Sequence, residues 1–110
     1  MRVDTPKVRL AFRNRPAIEL DTEVPVLIGR GLECAVRSDD GMMSRRHAKV
    51  FFRNGRWMIE DLNSANGVHV NHERKHVVEL HDGDMIAIAG LWMRFENPAS
   101  RAPRDESLLN

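Results

Sequence analysis

The sequence has a single cysteine, Cys34, so no intramolecular disulfide can form and nothing argues for an oxidising compartment. Without a partner signature, Cys34 reads as a buried strand residue rather than a reactive thiol. No apolar run approaches the roughly 20 residues a membrane helix requires, and the opening MRVDTPKVRL lacks the apolar core of a secretory signal. These two absences make no membrane contact and a cytoplasmic location the expectation. An excess of one charge is missing as well: the formal net charge is +1, so general attraction to nucleic acid or to a membrane surface is not expected. Any anion binding must come from a local cluster. Finally, no segment of a dozen residues carries apolar positions at helical spacing free of Gly or Pro, which excludes an appreciable helix.

What remains is the material of one globular domain. The chain has 110 residues, 42% hydrophobic and 30% charged, enough for one core but not two. Short alternating or β-branched runs dominate: residues 8–12, 17–20, 24–29, 48–53, 56–62, 67–70 and 76–80, then MIAIAG and LWMRFE ending at Glu96. Asn54-Gly55, between two such runs, predicts a two-residue type I′ hairpin turn. HDGD at 81–84 and Ala89-Gly90 mark further turns, Asp84 is expected to cap its turn, and Asn71-His72 closes another strand. Roughly ten short strands without crossover helices predict an antiparallel β-sandwich over residues 8–96. Residues 1–7 read as a loose N-terminal arm, and 97–110, with two prolines and few apolar residues, as a flexible tail or linker. Trp57, Trp92, Phe51 and Phe95 lie inside predicted strands and are assigned to the core.

Three loop clusters carry the chemistry. Gly29-Arg30-Gly31 follows one strand, Ser44-Arg45-Arg46-His47 precedes another, and Ser64-Ala65-Asn66-Gly67 follows IEDLN. Arginine offers a planar fork matched to phosphate oxygens, serine a neutral donor, and asparagine both a donor and an acceptor for a peptide backbone. No cluster contains an acidic residue. An anionic ligand is the natural partner.

In order and spacing these blocks, GR at 29–30, SRRHA at 44–48, DLNSANGVHVN at 61–71 and LHDGDMIAIAG at 80–90, resemble the forkhead-associated (FHA) domain, a phosphothreonine-peptide binding module. The resemblance spans about residues 8 to 96. It implies an all-β sandwich of about eleven strands with its binding loops at one apex, no enzyme activity, no cofactor, and two partners: a threonine-phosphorylated protein and the upstream Ser/Thr kinase. It also implies that Arg30 contacts phosphate, Ser44 donates its hydroxyl to it, Arg45 adds a further contact, and Asn66 brackets the peptide backbone. Gly29, His47 and Gly67 then support the loops, and Arg46 faces solvent.

One departure is Ala65. Many members place a hydroxyl there, and losing one neutral donor to an anion costs about 1–2 kcal/mol, roughly tenfold in affinity. At the specificity position two before Ser44 stands Met42, a flexible thioether that suits an apolar peptide side chain and cannot pair with a carboxylate. Thr5, ahead of Pro6, is reachable by a kinase; once phosphorylated it would offer the pocket a ligand from its own chain or a second copy. A competing class uses the same fold as a phosphate-independent interaction or oligomerisation module, and Ala65 favours it.

Other chemistries fit less well. His69, His72, His76 and His81 invite a metal, but the spacing separates them across faces and a turn, with no cysteine nearby. Ser44, His47 and Asp61 lack the loop context of a catalytic triad. Nucleic acid is disfavoured because no basic stripe with exposed aromatics extends the SRR block.

Overall fold

Period-two alternation decides most of the architecture. In a computed structural model describing residues 7–100, eleven strands form: β1 (Arg9–Phe12), β2 (Ile18–Glu19), β3 (Val26–Gly29), β4 (Val36–Arg37), β5 (Ala48–Arg53), β6 (Arg56–Asp61), β7 (Val68–Val70), β8 (Glu73–Lys75), β9 (Val77–Glu79), β10 (Met85–Ile88) and β11 (Leu91–Glu96). They make a six-stranded sheet in the order β2-β1-β11-β10-β7-β8 and a five-stranded sheet in the order β4-β3-β5-β6-β9. Inward residues of both sheets meet in one core, with Leu10, Ile28, Val50, Ile59, Ile86, Met93 and Phe95 at its centre, the usual construction of a two-layer sandwich.

Two strands escape the sequence pattern. β4 has only Val36 facing inward, and β8 consists of Glu, Arg and Lys, so neither shows an apolar alternation. β4 is also the exception to antiparallel pairing, lying parallel to β3 with Ile28 opposite Val36. The charged β8 is a sheet edge, where charge discourages pairing with another chain.

The predicted turns form, with the backbone they demand. Asn54 and Gly55 both take positive φ (54° and 78°) in the β5–β6 hairpin, as a type I′ turn requires. Asn71 and His72 do likewise between β7 and β8 (51° and 73°), so this pair joins two strands rather than simply ending one. Asp84 caps its turn by accepting from the His81 N–H at 2.8 Å.

Three of the four predicted core aromatics are buried; Trp92 is not, with 48% of its surface exposed. On β11 the inward positions are Met93 and Phe95, so Trp92 and Arg94 point out. Phe51 also faces outward on its sheet, yet is buried beneath Lys49 and Arg53, whose cationic heads each lie 4.9 Å from its ring. Past Glu96 the chain makes a 3-10 turn over Pro98–Ser100, tied back by Asn97 N–H to Asp82 Oδ1 at 2.8 Å. Thr5, with residues 1–6 of the arm, and residues 101–110 of the tail lie outside the described residues.

Candidate functional site

The three loop clusters converge at one end of the sandwich, held there by a few buried contacts. β3 runs out at Gly29, and the Arg30 and Gly31 N–H groups donate to the carbonyls of Ser44 and Arg45, both at 2.9 Å. The loop before β5 is thereby stitched to the loop after β3. Gly29 is required by space: a Cβ there would lie 2.2 Å from the Arg45 carbonyl oxygen.

His47 joins the third loop to these two. It is completely buried. Its Nδ1 accepts the Ser44 N–H at 3.0 Å and its Nε2 lies 2.8 Å from the Gly67 carbonyl oxygen. A carbonyl only accepts, so the proton sits on Nε2 and the ring is the neutral tautomer. With both nitrogens committed to backbone, neither serves the Ser44 hydroxyl or Asp61, and the triad geometry does not form.

The 62–67 loop shapes itself by side-chain-to-backbone bonds, Asp61 Oδ1 accepting from Ser64 N–H at 2.9 Å and Ser64 Oγ from Gly67 N–H at 2.8 Å. Such local bonds by Asp and Ser hold turns in place of regular structure. Gly67 adopts φ 82°, a left-handed conformation that calls for glycine, while the space a Cβ would need is held only by the movable Arg74 side chain. Asp61 and Ser64 therefore belong to the site's support, a role the sequence reading did not give them; the Asp-x-x-Ser-x-x-Gly spacing was the available signal.

The outward groups follow from this frame. Arg30 Nε donates to the Met43 carbonyl at 3.0 Å, which aims the guanidinium and leaves its terminal nitrogens open. Asn66 Nδ2 donates to the Met42 carbonyl at 2.9 Å, which leaves the amide oxygen able to accept. Ser44 Oγ lies 3.4 Å from the Ala65 N–H, so hydroxyl and amide sit side by side, and the hydroxyl proton remains free to donate. The Arg45 side chain is exposed and makes no hydrogen bond among the described residues, though its charge helps lower the Glu33 carboxyl. Met42 and Met43 part company: Met43 is core, while Met42 is 58% exposed beside Asn66.

Carboxylates nearby are already engaged. Glu33 takes an ion pair from Arg46 at 2.9 Å, and Asp39 from Arg37 at 2.9 Å. The Arg46 hydrogen bond, with Glu33's own backbone, holds the Glu33 carboxyl below its ordinary range. Arg46 is thus exposed, as expected, but anchored. Cys34 lies underneath, its Sγ 3.2 Å from the Arg45 carbonyl, and burial followed by the Glu33 charge pushes its thiol pKa up. A thiol so placed is packing material. Of the histidines, His72 sits edge-on to Trp92 and His81 lies near Glu79 and Asp84.

Open guanidiniums, a free hydroxyl and a presented amide, with Glu33 and Asp39 ion-paired and Asp40 and Asp61 turned to backbone N–H groups, make an anion-binding apex with a backbone-reading group beside it.

Known proteins share this arrangement of sequence and fold. The sequence profile of the FHA domain matches residues 26–89. Over 63 residues the chain is 36% identical to the ABC transporter ATP-binding/permease protein Rv1747 of Mycobacterium tuberculosis, covering 57% of this chain and 7% of that protein. It is 44% identical over 62 residues to the transcriptional regulatory protein EmbR of the same species, covering 56% of this chain and 16% of that one. The chain thus spans a small part of the curated relatives it matches. EmbR's structure with a low-affinity phosphopeptide superimposes with a TM-score of 0.75 at 32% identity, over 82% of this chain and 24% of that one. A structure solved in work on phosphothreonine-dependent FHA domain interactions gives a TM-score of 0.76 at 28% identity, covering 84% of this chain and 97% of that one. With more than half its length inside the family's profile and its sandwich shared with these domains, the chain belongs to the FHA domain family.

Proposed function

We propose that residues 8–96 form a phosphothreonine-reading interaction module that recruits a protein phosphorylated by a Ser/Thr kinase. Arg30 and Arg45 supply charge, Ser44 supplies a neutral donor, and Asn66 holds the peptide backbone beside the phosphoresidue. The observation that carries this reading is the meeting of Arg30, Ser44 and Asn66 at one apex through the Met42–Ser44 loop, with Glu33 and Asp39 beside it held in ion pairs. FHA domains are interaction modules, and the module acts by binding alone, without catalysis or a cofactor. Met42, exposed next to Asn66, favours an apolar residue in the bound peptide. A phosphorylated Thr5 arm is a ligand the chain itself can offer. The cytoplasm, where kinases act and a lone thiol stays reduced, is the fitting compartment.

The test is fluorescence-polarisation binding to a degenerate phosphothreonine peptide library, beside matched phosphoserine and unphosphorylated libraries, with Arg30→Ala and Ser44→Ala as controls. Phosphothreonine-selective binding that vanishes in both variants is the expected result. Equal binding of phosphorylated and unphosphorylated peptides would overturn it in favour of a phosphate-independent module, the reading Ala65 favours.

A further inference from the structure

We infer that a groove on the outer face of the six-stranded sheet is a second docking surface, one that takes an acidic protein segment carrying an apolar side chain. The groove, about 880 Å³, lies between the end of β1 with the loop that follows it and the start of β11. Its outward apolar residues are Ala11, Met85 and Trp92, while Phe12 at its end turns inward opposite Met93 and packs against the core, and Arg13, Arg15 and Arg94 line it. Alternation builds it: Trp92 and Arg94 face outward on β11, opposite Ala87 on β10 and Ala11 on β1, whose small side chains leave the space open.

Charge complementarity names the occupant. No described lining residue is a carboxylate. Arg13 has no partner among the described residues, Arg15 lies 5.3 Å from the Phe12 ring and donates to the Arg37 carbonyl, and Arg94 has only Glu96 at 3.6 Å. On the opposite sheet the chain covers an outward aromatic itself: Lys49 and Arg53 close over Phe51 and bury it. Trp92 stays about half exposed, met edge-on by the His72 imidazole with ring centroids 6.1 Å apart and with no cation stacked on it among the described residues. Trp and Arg together are the residues that dominate the energetics of protein recognition.

Two other occupants fit less well. A second copy of this chain, docking face to face about a two-fold axis, would set arginine against arginine. A nucleic acid asks for a basic stripe along a backbone, whereas here three arginines share one short groove on a chain of formal net charge +1. No groove-lining residue is among Arg30, Ser44, Arg45 and Asn66, although Gly90 at its end lies against the Asp40 carboxylate of the loop leading to Ser44, and this inference does not rest on the phosphothreonine reading.

The probe is a short unphosphorylated peptide of Asp and Glu around a central Phe, titrated into the 15N-labelled domain. Signals of the Trp92 indole N–H and of residues 12–15 should move and saturate. Replacing the peptide's Phe by Ser, or its acids by amides, should abolish the shifts. Arg13→Glu with Arg94→Glu should weaken binding about tenfold, since attraction becomes repulsion at both rim positions. Trp92→Ser should weaken it comparably, and Arg30→Ala should leave it unchanged; the Trp57 indole signal reports that each variant is folded. Four results would overturn the inference: no saturable shift, shifts confined to Arg30 and Ser44, tighter binding of an oligonucleotide that the same variants weaken, or a concentration-dependent dimer that Trp92→Ser dissolves.

Discussion

The Nε2 of His47 donates to the carbonyl oxygen of Gly67 at 2.8 Å, a buried hydrogen bond between residues twenty apart in the chain. Through it, and through the Ser44 N–H bound at Nδ1, one imidazole sets the relation between two binding loops. His47→Ala should therefore do two things. It leaves a buried cavity and two unpartnered backbone groups, a loss of about 2–4 kcal/mol read as a lowered denaturant midpoint. It should also weaken phosphopeptide binding at temperatures where the variant is still folded, because Ser44 and Asn66 lose their common brace.

Gly29 tests the contact between β3 and the Ser44–Arg45 backbone. Gly29→Ala should cost more than about 2 kcal/mol, since the clash is with a carbonyl of the backbone, at 2.2 Å from the added Cβ, and not with a side chain that can swing away. Gly41, in the same loop as Ser44, has nothing within 4 Å of an added Cβ. Gly41→Ala should stay within about 0.5 kcal/mol of the parent. Thermal melts of the two variants, side by side, check the difference.

Ala65 offers a gain. Its backbone N–H lies 3.4 Å from Ser44 Oγ, and its side chain is exposed at the apex. Ala65→Thr places a hydroxyl beside Ser44 and should tighten phosphothreonine-peptide binding by up to about tenfold without changing the melting temperature. Fluorescence polarisation with one fixed phosphopeptide is sufficient to measure it.

Cys34 should be inert while the domain is folded. Burial, reinforced by the Glu33 carboxylate, raises its pKa, so at neutral pH the thiolate is scarcer in the folded state than in the unfolded one. A raised folded pKa means the associated stability is complete below the unfolded thiol pKa and is lost as pH climbs through the folded one. Alkylation by iodoacetamide at neutral pH should thus be slow in buffer and fast in denaturant, and the Cys34→Ala variant should lose less stability than the parent on going to alkaline pH.

Much of this was legible in the residues, for reasons that can be named. β5 and β6 announced themselves because AKVFFR and RWMIED alternate about an Asn-Gly pair that tolerates positive φ. Arg30, Ser44, Arg45 and Asn66 were readable as anion chemistry because guanidinium, hydroxyl and amide have fixed donor geometry wherever they stand. β4 and β8 were not readable, because a two-residue strand and an all-charged strand carry no alternation; their pairing partners create them. Trp92 was misplaced in the core because hydrophobicity says that a residue is buried somewhere, while the phase of β11, set by Met93 and Phe95, says on which side it stands.

The sequence by itself determined the class of fold and the chemical kind of ligand, since alternation period, turn residues and donor groups are local properties. Only the tertiary structure decided how the loops meet. The buried imidazole of His47, the close approach at Gly29 and the pairing of Glu33 with Arg46 each join residues whose separation along the chain says nothing of their distance in space. The Trp92 groove is of the same kind, for it takes the pairing of β1 with β11 to bring Arg13 and Arg94 to one groove.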